Sequence, residues 1–91
     1  MSMIGVSVAS NKSLQLEATQ EAYNRAVVKL NLLLIEDKTH EEVVRRKLFE
    51  VMDERNQLGK YSTSDLYVMQ KSIEKTVDDF LAGLDEQTIT A

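Results

Sequence analysis

The chain contains no proline and only three glycines, Gly5, Gly59 and Gly83, in 91 residues. A sheet needs a turn every several residues, and turns draw on glycine, proline, asparagine and aspartate in clusters that this chain lacks. Leu, Glu, Lys, Gln, Met and Ala are abundant instead, and these lose little freedom on entering a helix. The expected class is all-α: an antiparallel three-helix bundle or a long helical hairpin, completed by oligomerisation. At this length the chain makes one small domain whose core is only just sufficient alone.

Helical spacing places the elements. Helix 1 is expected over about 13–37, capped by Asn11 or Ser13 with Glu17 near its positive end. Leu16, Tyr23 and Leu30 continue its apolar stripe, which Thr19 and Gln20 weaken early on. Thr39 with Glu42 three places later fits a capping box, so helix 2 is expected over about 40–58. The alternative is one unbroken helix from about 13 to 58, because the stripe keeps its phase through the break, interrupted only by Asp37 and Glu41. Helix 2 would bury Val44, Leu48, Val51 and Leu58 and end at Gly59 in the left-handed conformation. Ser62, Thr63 and Ser64 are candidate caps for helix 3, expected over about 64–84 with Leu66, Met69, Ile73, Val77, Phe80 and Leu84 facing inward. Residues 1–12 read as a flexible arm and 86–91 as a polar tail.

One stretch carries more apolar surface than such a bundle needs. In Ala22 to Ile35, AYNRAVVKLNLLLI, the residues Tyr23, Ala26, Val27, Leu30, Leu33 and Leu34 share one helical face. Val28, Leu32 and Ile35 form a second stripe almost directly opposite. A surface helix of a monomer needs one stripe, and two imply cover from both sides. Phe49 is likewise left over on the back of helix 2. Arg55 stands in the helix 2 stripe where leucine is expected, either as a snorkelling stem or as a register-setting contact to a partner. Tyr67 and Tyr61 could anchor an interface. The expected partner interface is therefore Val28, Leu32, Ile35, Phe49, Arg55 and Tyr67. The expected partner is a second copy, as dimer or tetramer, or another helical protein.

Chemistry finds little footing. His40 is the sole histidine, and beside Glu41 and Glu42 it lacks the second histidine a zinc helix requires. There is no cysteine, phosphate loop or dinucleotide fingerprint, so no cofactor, metal or catalytic residue is expected. Arg45, Arg46 and Lys47 lie among Glu41, Glu42 and Glu50 and read as a salt-bridged face. With a net charge of −4, nucleic-acid binding through them is the weaker alternative. Asp78, Asp79, Asp85 and Glu86 lack the loop spacing of a calcium site. No stretch has the length or apolarity of a membrane span or signal peptide, which leaves a cytoplasmic location as the default.

From Leu58 onward, LGKYSTSDLYVMQKSIEKTVDDFLAGL resembles the C-terminal helix of type III secretion needle and inner-rod subunits. Tyr61-Ser62 and Lys75-Thr76-Val77 carry that likeness, over less than a third of the chain. The proline-bearing turn of that family is absent, and helices 1 and 2 match nothing in it. The resemblance implies a structural or accessory subunit of a secretion apparatus or filament. The residues themselves point to a small non-enzymatic interaction module: a regulator, adaptor, inhibitor or chaperone.

Overall fold

A computed structural model describes the backbone of residues 3–90 and the side chains of residues 11–84. Three α-helices follow one another: α1 over Met3–Glu36, α2 over Glu41–Asn56 and α3 over Thr63–Thr90, with a single 3-10 turn at Leu58–Lys60. No strand occurs among the described residues. α1 packs against both α2 and α3. α2 returns antiparallel to α1, setting Glu54 beside Tyr23. α3 then climbs parallel to α1, so that Glu74 meets Arg25 and Asp78 meets Lys29 one turn further on. The bundle is long and thin, 63 × 18 × 17 Å.

The helices run further than expected. α1 begins at Met3, so Asn11 and Ser13 lie inside it and cap nothing, and the segment read as an arm is helical from Met3 onward. Once a helix is nucleated, each further residue adds a hydrogen bond at little cost, and no proline stops the propagation. For the same reason α3 continues to Thr90 rather than ending at Leu84. The side chains of the arm up to Ser10 and of the tail lie outside the described residues, as do Met1, Ser2 and Ala91 altogether.

Helices α1 and α2 are separate, but the device that separates them is not the capping box. His40 is the cap residue of α2 and makes no side-chain cap bond. Asp37 supplies the acceptor instead: its Oδ1 takes the backbone N–H groups of Thr39 at 3.0 Å and His40 at 3.2 Å. Its Oδ2 lies 2.7 Å from His40 Nδ1. The His40 hydrogen bond, joined by those two amides, holds the Asp37 carboxyl below its ordinary value of 3.8. An aspartate folding back on the next amides is a stronger turn former than the threonine two places later. At the second corner, no residue among those described has a positive φ. Gly59 therefore does not take the left-handed conformation; it lies within the 3-10 turn Leu58–Lys60. Ser62 caps α3, its Oγ accepting the Asp65 N–H at 3.2 Å.

The core is one cluster. Ala22, Tyr23, Ala26 and Leu30 of α1 meet Val44, Leu48 and Val51 of α2, Leu58 of the turn, and Leu66, Ile73, Val77 and Leu84 of α3. Thr19, expected to weaken the stripe, is fully buried. Its hydroxyl lies 2.7 Å from Gln15 O and 3.0 Å from Leu66 O, one on each helix, so a polar atom is satisfied inside the core. Gln15 Nε2 donates to Gln70 Oε1 at 2.7 Å and completes the α1–α3 contact. Thr19, Ala22 and Ala26 are small side chains buried on the inward face of α1.

Gly83 sits inside α3, where a Cβ would meet no atom within 4 Å. A helical glycine exposes backbone and has more unfolded-state freedom to lose. Gly83→Ala should therefore raise stability by about 0.5–1 kcal/mol, read as a shift in the urea midpoint without a change in slope. An unchanged or lower midpoint would mean that the last turns of α3 are not held as helix.

Candidate interaction surface

The surplus stripe of α1 faces away from both neighbours. Val28, Leu32 and Ile35 are 55%, 53% and 70% exposed, while Leu30, lying among them in sequence, is fully buried. Leu14 lies in line with them toward the N-terminal end and is 61% exposed. It was not evident as part of the stripe because Glu21 and Arg25 interrupt the apolar run between Leu14 and Val28. Isolated exposed leucines are ordinary; several along one face of one helix are not.

The remaining expected interface residues do not join this stripe into one site. Phe49 is exposed on α2 in an open depression shared with Glu42, Arg45 and Arg46 of its own helix. Tyr67 is exposed on α3, with the Lys71 ammonium 5.4 Å from its ring centre. Arg55 is half-buried on the inward side of α2, and its Nη1 donates to Asn24 Oδ1 of α1 at 2.9 Å. That bond gives Arg55 a partner within its own chain. Tyr61 packs against the core cluster rather than standing free.

Several of the charged groups pair with one another. Arg45 bonds Glu41. Lys47 meets Glu50 at 2.9 Å and stands over the Phe80 ring, 5.4 Å from its centre. Asp78 faces Lys29 and Asp79 faces Lys75 at 3.4 and 3.1 Å. These pairs are mostly exposed, Lys47 being half-buried, and each contributes at most about 1 kcal/mol. Tyr23 differs, because its hydroxyl donates to Glu54 Oε1 at 2.6 Å from a side chain that is almost wholly buried. Burial first, and the Glu54 carboxylate second, push the phenol well above its ordinary value.

Among the described residues two clefts are small, while the open depression beside Phe49 holds about 310 Å³. The cleft between α1 and α3 lined by Arg25, Ala26, Lys29, Glu74 and Val77 holds about 140 Å³. The one formed by Leu33, Asp37, Leu81 and Leu84 holds about 230 Å³. Both fall below the roughly 300 Å³ at which ligand pockets begin. Among the described residues no group of three or more His, Cys, Asp or Glu is placed to hold a metal ion. None of the described helices is long and apolar enough to cross a membrane.

The chain matches no protein-family model, no curated protein and no solved structure.

Proposed function

We propose that this chain is a small non-enzymatic helical interaction module that acts by binding, as a regulator, adaptor, inhibitor or chaperone, and that it works as a homo-oligomer. The observation that carries the reading is the exposed stripe Val28, Leu32 and Ile35 on the back of a helix whose front already forms the core. Leaving that much apolar side chain in water forfeits roughly 25 cal/mol for every Å² that a partner would cover. A second copy always offers the same surface, and a twofold pairing is the commonest way for such a patch to be covered.

The test is solution mass by light scattering across a dilution series, with Leu32→Glu beside the natural chain. The natural chain should associate and fall toward monomer mass on dilution. The variant should be monomeric throughout with unchanged helix content, because the side chain it replaces is half in water. A variant that associates as tightly as the natural chain would remove this face from consideration.

A further inference from the structure

On α1 the outward residues recur at alternating steps of four and three: Leu14, Ala18 and Glu21, then Arg25, Val28, Leu32 and Ile35. All are exposed except Ala18, which is half-buried. Alternating steps of four and three are the seam of a left-handed coiled coil, kept in line over about 32 Å of helix. The seam is apolar at both ends and charged at its centre, with Glu21 and Arg25 of opposite sign one turn apart. That arrangement is self-complementary in one orientation. We infer that the stripe is covered by a second copy of this chain whose α1 runs antiparallel, about a twofold axis at the level of Tyr23, with Glu21 of each copy against Arg25 of the other. This rests on the self-association proposed above and adds its orientation and register.

Charge complementarity selects that register from its rivals. With the axis at Tyr23, both central charges find an opposite charge, twice over by symmetry. Leu14 then lies against Leu32 of the second copy, and Ala18 against Val28. Sliding the antiparallel pair by one heptad one way places Arg25 against Val28 and Glu21 against Leu32. Sliding it the other way places Glu21 against Ala18 and Arg25 against Leu14. Each of these buries charges against apolar side chains. A parallel pair in register sets Glu21 against Glu21 and Arg25 against Arg25, which repels. Arg25 keeps capacity for the contact: it addresses Glu74 through Nε and Nη2, and its Nη1 has no hydrogen-bond partner among the described residues. Glu21 makes no ion pair among the described residues.

The chain has no cysteine, so single cysteines report neighbours cleanly. Leu14→Cys and Leu32→Cys variants, mixed and mildly oxidised, should form a disulfide-linked heterodimer. Neither should cross-link alone, because like positions then lie about 27 Å apart along the helix. If either variant fails to associate, Ala18→Cys mixed with Val28→Cys gives the same readout. Glu21→Arg, which opposes arginine to arginine at both central layers, should weaken association at least about tenfold. An associating protein that cross-links in a single variant, or fails to cross-link in either mixture, overturns the orientation and register while self-association stands. A natural chain that is monomeric at every concentration overturns both and assigns the stripe to a different protein.

Discussion

Leu30→Ala should lower the unfolding free energy by about 3–5 kcal/mol, enough to leave a domain of this size partly unfolded at ordinary temperature. Leu30 is fully buried, and it stands on the helix that packs against both others. Removing its isobutyl group takes contacts away from the shared interior, and a bundle only 17 to 18 Å across has few second-layer atoms with which to refill the gap. The expected record is a cooperative loss of helical signal at a much lower urea concentration, measured at fixed protein concentration so that association is not mistaken for stability. Set beside Leu32→Glu, the result divides one helix by function. Two residues apart, one side chain should govern folding and the other association. A cost below about 1 kcal/mol for Leu30→Ala would show that the core is not centred on this face.

The opposed placement of Leu30, buried, and Leu32, exposed, was legible in the amino-acid order because the helical period sets them on opposite sides, whatever the rest of the chain does. The all-helical class was legible for a similar reason: missing turn residues leave few alternatives. The corners were harder. Asp37 looked like a flaw in a continuing stripe, whereas its carboxylate takes the two amides that close the first corner. A carboxylate at that spacing can serve either as a solvated helical residue or as a turn acceptor, and backbone geometry decides between them. Gly59 looked like a left-handed cap, yet the 3-10 turn satisfies the end of α2 without a positive φ. Thr19 looked like a weak point because periodicity scores only apolarity. Its burial depends on a carbonyl of α3 that lies 47 residues away in the chain. The heptad seam was half visible, since Val28, Leu32 and Ile35 announce it. In the antiparallel pair proposed above, its central Glu21 and Arg25 would acquire a role that the sequence of one chain does not announce.

Tyr23 gives the chain a vulnerability to base that its surface charges do not. Buried against the core and donating to Glu54, its phenol is held well above the ordinary value of 10.0, at which it would ionise in the unfolded chain. Above pH 10 the unfolded state therefore loses a proton that the folded state keeps, and stability falls as the pH rises. The slope for one such group is about 1.4 kcal/mol per pH unit, continuing until the folded-state value is reached. Below pH 10 the contribution is fully present and flat. Tyr23→Phe keeps the ring in the core and discards the ionisable hydroxyl. It should lower stability at neutral pH by about 1 kcal/mol for the lost hydrogen bond, a modest figure because the exposed Glu54 can turn to water. It should also remove most of the alkaline slope, so that the two stability curves converge and then cross as the pH climbs. Urea unfolding at stepped pH from 8 upward measures both effects. Parallel curves, with the variant lower throughout, would mean that Tyr23 ionises without leaving the core, and would separate its place in the packing from the hydrogen bond that joins α1 to α2.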